Sequence, residues 1–520
     1  MCGITITSCS KNINLSTRIK PEEINLLINS IIKTKKNQYV DKLFELVMNY
    51  KSDLNFLNYF KSKRERNEIY LCKKKLQKFV NKNKKINNIL LSRNEKILDI
   101  LWFLDYELIN RFKFVKSFIG KTKYSNHSLI FFKTLNSVIN SINLLEIRGR
   151  DSLGLMFSIN LKNTTENISW VKKNLKLEKY IKVNKKNIIV NVIYKNCNIF
   201  GSLGGNSKII LKKIKNDHKI LKLLKSGIYE NINIIAHTRW ASVGQVDMDN
   251  THPLVNVTES SNKIPTIFSV MNGDIYNYIN VISKSKKIKN IHYNHNKKSD
   301  TLALSYLFAE NSIFNNKKKL KRKLSKIEGS FVGAVISDEE ISKILIIKKG
   351  NLGLYYGKNN DREFFSSDIY GLVEECKYFY EFKKNTFSIL NEKKNLNLIK
   401  KNQKLKKINI TTRDVSKKNY SYYLEKEINE APEIINKTIS NYINITNVLS
   451  KKNNFFVNKE FSKLHPIIKK IKNKKIDKII ITGMGTCHTA AEGIAHYMRE
   501  NLYPHLSHVS ISAEIASEAS

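Results

Sequence analysis

The chain opens with residues 1–7, Met-Cys-Gly-Ile-Thr-Ile-Thr, which predict both the first strand and a nucleophile in front of it. The β-branched run at 4–7 predicts a short strand. Cys2 stands immediately before that strand. Loss of Met1 would give Cys2 a free α-amino group, whose ordinary pKa of roughly 7.7–8.0 lies close to working pH. One residue would then carry both a thiol nucleophile and a general base.

A long segment without glycine or proline follows the first strand. Residues 22–119 contain neither. Apolar side chains recur there at helical spacing, for example at Leu43, Leu46 and Val47. We therefore predict that residues 12–130 form a mainly helical, Lys-rich insertion.

The middle of the chain combines many short strands with a few helices. The apolar patterns predict helices at about 133–147, 206–226, 276–284 and 300–310. They predict strands at 153–159, 188–193, 232–237, 266–271, 331–336, 344–348 and 364–366. Such a mixture indicates an α+β protein built from two packed sheets.

The last hundred residues carry a different pattern. A long helix is predicted to run past Pro432, and residues 478–512 follow as strand, glycine-rich turn, helix and strand. This order is the opening of a βαβ unit, and one such unit cannot cover both faces of a parallel sheet. We therefore expect an incomplete α/β domain at 420–520, joined by a linker at 391–419 to a domain at 2–390.

Composition limits the class of protein. Apolar residues form 41% of the 520 residues, which is enough for packed cores in two or three domains. The net charge of +46 would suit a nucleic-acid partner, but Lys, Asn and Ile are heavily used everywhere, so compositional drift explains the charge better. We expect no nucleic-acid partner, no membrane span and no signal peptide. Six scattered cysteines without a CxxC pair indicate neither a metal site nor a disulfide framework, as in a cytoplasmic protein.

Four further motifs accompany the Met-Cys-Gly-Ile start. They are Arg-Gly-Arg-Asp-Ser at 148–152, Ala-His-Thr-Arg-Trp-Ala-Ser-Val-Gly at 236–244, Met-Asn-Gly-Asp-Ile-Tyr-Asn-Tyr at 271–278 and Ser-Asp-Thr at 299–301. Together these motifs resemble the class II glutamine amidotransferases, and most of all the glutamine–fructose-6-phosphate aminotransferase family. Residues 484–487, Met-Gly-Thr-Cys, resemble the start of the first sugar-isomerase (SIS) domain of that family.

The resemblance implies a fold, an activity and partners. The fold is the N-terminal-nucleophile hydrolase fold, a two-sheet αββα sandwich, here with a helical insertion and followed by the start of an α/β SIS domain. The activity is conversion of glutamine and fructose 6-phosphate to glutamate and glucosamine 6-phosphate, without cofactor or metal. The full-length protein would be a homodimer through its SIS domains. The chain would be truncated at its C-terminus, because the family's Ser-rich phosphate loop and ring-opening Lys lie further on.

The residue types also suit particular roles. Arg239 can offer a bidentate fork to the glutamine carboxylate, and Asp300 a negative charge to its α-ammonium group. The side chain of Asn272 and the N–H group of Gly273 can hold the oxyanion that forms when Cys2 attacks. By resemblance, further glutamine contacts come from Trp240 and Ser242, and sugar-phosphate contacts at a helix N-terminus from Thr486 and Cys487.

Several alternatives stay open. Residues 272–278 also resemble asparagine synthetase, although the His-Thr-Arg-Trp block argues against that enzyme. The chain could be a stand-alone glutaminase, or an amidotransferase with another acceptor. Val243 and Met271 each replace a histidine of the family, which leaves room for a non-catalytic homologue whose basic insertion binds a polyanion. The sequence does not identify the acceptor sugar, the role of residues 12–130 or any feedback regulation.

Overall fold

The structure, a computed structural model, describes most of the chain. The described residues are 2–10, 17–34, 36–83, 91–147, 149–175, 181–184, 186–198, 203–240, 245–256, 265–289, 299–340, 342–391, 405–417, 420–442, 465–483 and 486–515. Contacts within the chain divide it into two units, Met1–Ser416 and Lys417–Ser520.

The first unit contains two antiparallel sheets. Its strands are β1 (Gly3–Ser10), β2 (Ser152–Lys162), β3 (Ile181–Val183), β4 (Asn187–Asn196), β5 (Asn231–Arg239), β6 (Leu254–Val255), β7 (Ile267–Ile275), β8 (Gly329–Ser337), β9 (Lys343–Lys349), β10 (Tyr355–Lys358), β11 (Glu363–Ser366), β12 (Tyr378–Glu381), β13 (Thr386–Asn391) and β14 (Lys406–Lys407). A nine-stranded sheet has the order β14-β12-β10-β11-β1-β5-β2-β4-β3, and a five-stranded sheet has the order β13-β9-β8-β7-β6.

Helices surround both sheets. They are α1 (Pro21–Thr34), α2 (Asn37–Met48), α3 (Asp53–Lys61), α4 (Lys63–Asn83), α5 (Leu91–Trp102), α6 (Leu108–Ile119), α7 (Asn126–Leu145), α8 (Thr165–Leu175), α9 (Gly205–Asn216), α10 (His218–Ser226), α11 (Tyr278–Lys289), α12 (Leu302–Leu307), α13 (Lys317–Ser325) and α14 (Thr412–Val415). A π-helical turn, Phe103–Glu107, connects α5 to α6, and short 3-10 turns lie at Asn49–Lys51, Ile313–Asn315 and Ile369–Leu372.

The two sheets pack face to face. Because side chains alternate along a strand, Ile235 of β5 points between the sheets while Ile234 points toward the helices. The layer between the sheets also contains Ile4 from one sheet and Val270 from the other. Helices α1–α10 cover the outer face of the nine-stranded sheet, and α11–α13 cover the outer face of the five-stranded sheet. The predicted two-sheet αββα sandwich is therefore confirmed.

The helical segment between β1 and β2 belongs to the same core as the sheet it covers. Its helices are amphipathic, as in α1, where Ile24, Ile28 and Ile31 are buried at helical spacing. These side chains share one apolar cluster with Phe157 of β2. The segment thus stabilises the nine-stranded sheet and is not a separate domain.

Buried ion pairs join this helical segment to the connections on either side of β11. Arg111 of α6 is 1% exposed, and its Nη2 lies 2.6 Å from Glu374 and 2.5 Å from Glu375. Asp53 of α3 accepts from Lys133 of α7 at 2.7 Å and also pairs with Arg362. Removing one partner from such a group leaves an uncompensated charge in the core.

The predicted linker at 391–419 is wrong in part. Residues 392–404 lie outside the described residues, but β14 pairs with β12 and the short helix α14 follows it. In α14, Arg413 forms ion pairs with Glu95 and Asp99 of α5, and the hydroxyl of Thr412 accepts from the indole of Trp102. These tertiary contacts order a stretch that has no periodic pattern of its own, so the first unit extends to Ser416 and not to 390.

Smaller differences from the sequence prediction have local causes. The helix predicted at 206–226 is two helices, because Asp217 interrupts it and caps the second through the N–H of Ile220. Helices α8 and α13 were not predicted, since many of their positions carry polar or Lys residues and only a narrow face is buried.

The second unit contains a parallel strand pair. Its elements are α15 (Tyr423–Tyr442), α16 (His465–Lys472), β15 (Lys478–Gly483), α17 (Thr486–Leu506) and β16 (Ser510–Ile515). β15 pairs in parallel with β16 through the crossover helix α17, so the predicted βαβ unit is confirmed. α15 continues through Pro432. None of the helices in the described ranges has the length and apolar character needed to cross a membrane.

Candidate active site

Cys2 lies where the first strand enters the layer between the two sheets. Its side chain is buried, and its backbone N–H donates to Oδ1 of Asn272 at 2.9 Å. Its Sγ accepts from the backbone N–H of Trp240 at 3.4 Å. The next residue is also held, because Gly3 N–H donates to Thr238 Oγ1 at 3.0 Å.

Asn272 and Gly273 approach Cys2 from the other sheet, on β7. A backbone N–H only donates, so the Asn272 atom facing Cys2 must be the carbonyl oxygen, and the amide Nδ2 remains as the donor of that side chain. Gly273 has a φ of 111°, a conformation that L side chains rarely adopt. A Cβ there would also lie 2.2 Å from the carbonyl oxygen of Ser330. Only glycine therefore fits beside Asn272.

Arg239 ends β5, and Trp240 follows it with its backbone against the thiol. The Arg239 side chain is buried, and its Nη1 donates to the carbonyl of Gln245 at 2.8 Å. Burial lowers the pKa of Arg239, while the nearby Cys2 and Asp247 raise it. The Trp240 indole is 58% exposed, so only its backbone contacts the thiol.

Two carboxylates lie beside this cluster. Asp300 is buried, and its Oδ2 accepts from the N–H of Ile275 at 2.8 Å. Burial, assisted by the neighbouring Asp274, raises the pKa of Asp300 to about 6. Asp274 lies on the same face of β7 as Asn272, since the two are two positions apart along a strand.

The thiol of Cys2 is not activated by its surroundings alone. Burial raises the pKa of the Cys2 thiol, whereas the Trp240 backbone and the Arg239 charge lower it by less. A buried neutral thiol needs a base to remove its proton as it attacks. The α-amine that loss of Met1 would expose is bonded to the same carbon as the side chain and could serve as that base.

Two buried histidines lie directly behind the site. His237 of β5 is 0% exposed, and its Nε2 is 2.8 Å from the carbonyl oxygen of Met271, the residue before Asn272. His252 is also buried and packs edge-on against His237, with ring centroids 4.1 Å apart. Neither histidine was predicted as a site residue.

The structure thus brings together most of the predicted glutamine site. Cys2, Asn272 and Trp240 are in direct contact, and Arg239 and Asp300 are close enough to alter pKa values within the cluster. Ser242 lies outside the described residues. Thr486 and Cys487 begin helix α17 in the second unit, where both side chains are exposed.

Besides His252, sequence reasoning missed four residues that hold or border the site. Thr238 and Ser367 hold the start of β1, the latter by accepting from the N–H of Ile4 at 2.9 Å. The motif did contain signals for the others, since His237 precedes Thr-Arg and Asp274 follows Asn-Gly. Within the part of the chain that the structure describes, no group of three His, Cys, Asp or Glu side chains could hold a metal ion.

Sequence comparison assigns a class to this site. Residues 241–374 match the family described as a glutamine amidotransferase domain, a range that includes Asn272 and Asp300. Together with the cysteine that precedes the first strand and the similar curated proteins below, this match supports a class II glutamine amidotransferase.

Similar curated proteins carry a more specific name. The glutamine–fructose-6-phosphate aminotransferase of Buchnera aphidicola subsp. Acyrthosiphon pisum is 27% identical over 402 residues, which are 74% of this chain and 52% of that protein. The same enzyme of the Baizongia pistaciae subspecies is 30% identical over 394 residues, again 74% and 52%. That of Clostridium tetani is 28% identical over 289 residues, or 55% and 43%. The chain therefore spans about half the length of the curated relatives it matches.

Solved structures show a weaker likeness. The glutamine phosphoribosylpyrophosphate amidotransferase from B. subtilis, complexed with ADP and GMP, has a TM-score of 0.33 at 15% identity and covers 52% of this chain and 46% of its own. An allosteric regulatory enzyme of purine biosynthesis gives 0.34 at 16% identity, covering 49% and 44%.

Proposed function

We propose that the chain takes ammonia from glutamine at Cys2 and, in the whole protein, passes it to fructose 6-phosphate to form glucosamine 6-phosphate. The observation that supports the first half is the 2.9 Å hydrogen bond from Cys2 N–H to Asn272 Oδ1, because the residue that carries the thiol is buried next to a side-chain amide. A nucleophile next to an oxyanion donor is what acyl transfer from an amide requires.

Each side chain of the site has a role in this proposal. Once Met1 is lost, the α-amine of Cys2 takes the thiol proton as the sulfur attacks the glutamine amide carbon. Asn272 Nδ2 and the N–H of Gly273 donate to the oxygen that becomes negative. The proton returns to the leaving nitrogen as ammonia departs, and water then releases glutamate from the thioester. Arg239 binds the glutamine carboxylate and Asp300 its ammonium group, while Trp240 and Ser242 border the substrate.

The acceptor half rests on the names of the relatives and on the second unit. Curated proteins similar to this chain are named for the reaction with fructose 6-phosphate. Helix α17 follows strand β15 along the chain and begins at Thr486, and the N–H groups of such a helix start suit a phosphate. Thr486 and Cys487 would contribute to that site in an SIS domain, through which the whole protein would dimerise.

A glutaminase assay tests the first half directly. Purified chain incubated with glutamine is expected to release glutamate, and intact-mass spectrometry of the same sample is expected to show loss of Met1. Loss of Met1 without any glutamate release above the Cys2→Ala background would refute the proposal. Retention of Met1 in an active sample would refute the role of the α-amine.

Substitutions at Arg239 and Asn272 are expected to have opposite kinetic effects. Arg239→Ala removes contacts made equally in the ground and transition states, so KM for glutamine should rise on the order of 10²-fold with little change in kcat. Asn272→Ala removes a donor that acts on the oxyanion, so kcat should fall about 10²–10³-fold. Steady-state kinetics measures both, with the exposed Arg64→Ala as a control that should match the wild type. Interchanged effects would show that the two roles are misassigned.

Glutamine affinity is expected to depend on the protonation of Asp300. The pKa of Asp300 is about 6, so its carboxylate is charged above that pH and attracts the α-ammonium group. Below about pH 6, Kd for glutamine should rise roughly tenfold per pH unit. Calorimetric titration of the Cys2→Ala protein measures binding without turnover. The Asp300→Asn, Cys2→Ala protein should bind weakly at every pH, and a similar pH dependence in that protein would exclude Asp300 as the titrating group.

A further inference from the structure

We propose that His237 and His252 form a pair of positioning residues, which holds Asn272 against Cys2 and thereby sets the rate of glutamine hydrolysis without contacting glutamine. This inference rests on the proposed glutaminase function. It concerns residues outside the set of groups that would bind or attack the substrate.

His237 links the two sheets at the point where they form the site. On β5, His237 is paired with Ile4 and its neighbour Thr238 is paired with Gly3, so the histidine lies beside the strand that carries Cys2. Its Nε2 is 2.8 Å from the carbonyl oxygen of Met271 on β7, in the other sheet. A carbonyl oxygen only accepts, so His237 must carry its hydrogen on Nε2.

This bond acts on Asn272 through one peptide unit. The carbonyl of Met271 belongs to the same planar peptide group as the nitrogen of Asn272. Holding that plane fixes where the Asn272 side chain leaves the strand, and therefore the 2.9 Å contact between its Oδ1 and Cys2 N–H. A shift of about 1 Å in a catalytic group can reduce a rate on the order of 10²-fold.

His252 holds the His237 ring in place. Its Nδ1 lies 2.8 Å from Nε2 and 3.2 Å from Nδ1 of His237, and the two rings meet at 68°. Because the Met271 carbonyl takes the one hydrogen on His237 Nε2, His252 restrains the ring by packing against it. The backbone of His252 crosses directly over Gly154 of β2, where a Cβ would lie 1.6 Å from the His252 carbonyl oxygen. A side chain at position 154 would therefore displace His252 from His237.

The surroundings keep both rings uncharged. Burial, assisted by the charge of Arg239, lowers the pKa of His237 to about 3, although the hydrogen bond with the Met271 carbonyl opposes this shift. Burial also lowers the pKa of His252 well below its usual range, with contributions from His237, Arg239 and Lys195. The charged groups that act on the pair are thus cations. Because neither ring gains a proton near neutral pH, the donor at His237 Nε2 is permanent.

A comparison of His237→Gln with His237→Leu separates positioning from packing. The Gln side chain has an amide N–H that can donate to the Met271 carbonyl, whereas Leu fills space without a donor. We expect His237→Leu to lower kcat for glutamine hydrolysis roughly 10–100-fold while KM changes less than about threefold. His237→Gln should recover most of that loss. Circular dichroism and thermal melting establish that both variants are folded.

The outcomes distinguish this inference from the function on which it rests. A wild-type chain that loses Met1 but shows no glutaminase activity removes the proposed function and the inference with it. An active wild type, together with a folded His237→Leu variant of unchanged kcat, overturns the inference alone. Equal losses in the Gln and Leu variants also overturn it, because filling space would then be the only role of His237.

A second measurement covers the case in which His237→Leu does not fold. Nitrogen-15 NMR of wild-type chain labelled at histidine reports protonation and tautomer for each ring. His237 is expected to remain neutral with its hydrogen on Nε2 between about pH 5 and 8, and His252 is expected not to titrate there. A His237 ring that titrates near pH 6.5, or that carries its hydrogen on Nδ1, would overturn the inference.

Discussion

Cys2→Ala is expected to reduce glutamine hydrolysis by a factor on the order of 10⁴–10⁶, the largest effect of any single change in this chain. The thiol is the group that would attack the amide. Cys2 N–H donates to Asn272 Oδ1, and Cys2 Sγ accepts from the N–H of Trp240, so the thiol lies among the proposed site residues. Glutamate release, measured against an enzyme-free blank, gives the factor.

Matched variants make this result specific. Cys197→Ser alters a partly exposed cysteine with no part in the site, so it should retain the wild-type rate. A glutamine-analogue electrophile should label Cys2 and leave Cys9 and Cys487 unmodified, although Cys487 is exposed. Labelling of another cysteine, or an active Cys2→Ala protein, contradicts the mechanism.

Arg111→Ala is expected to destabilise the first unit by about 3–5 kcal/mol, more than any surface change. Arg111 is 1% exposed and forms ion pairs with two buried glutamates, Glu374 and Glu375. Burial opposes the ionisation of Glu375, but Arg111 and Lys133 more than offset it, so the pKa of Glu375 is lowered to about 2. Without Arg111, that charge would remain in the core unpaired. Thermal melting should show a fall of several degrees.

The same measurement can test why stability is lost. Adding Glu374→Gln and Glu375→Gln to Arg111→Ala removes the unpaired charges and should restore part of the stability. Arg64→Ala, which breaks an exposed ion pair on α4, should leave the melting temperature unchanged. If Arg111→Ala melts like the wild type, the helical segment is not held to the sheet through these ion pairs.

The helical segment between β1 and β2 was predictable only in part. Its helices were predictable, because residues 22–119 lack glycine and proline and have apolar side chains at helical spacing. Its attachment was not. Arg111 lies 263 residues from Glu374 along the chain, and charged side chains in a Lys-rich sequence look like surface. Only the folded chain shows that they are buried.

The ordered segment before the second unit is a related case. Residues 405–416 have no periodicity, and the sequence therefore predicted a linker. They are ordered by β12 and by contacts of Arg413 with α5, partners that are distant along the chain. When contacts with distant parts of the chain order a segment, the segment's own sequence carries no pattern that predicts this order.

The sequence by itself indicated the class of protein, the two-sheet sandwich and a set of candidate site residues, because strand alternation and short motifs are local properties. Only the tertiary structure decided which face of each strand meets the other sheet, and so which side chains lie against that cysteine. His237 shows the difference. Along the chain it is one more residue of a strand, but packing of β5 against β7 places its imidazole on the carbonyl of Met271, beside the residue that contacts Cys2.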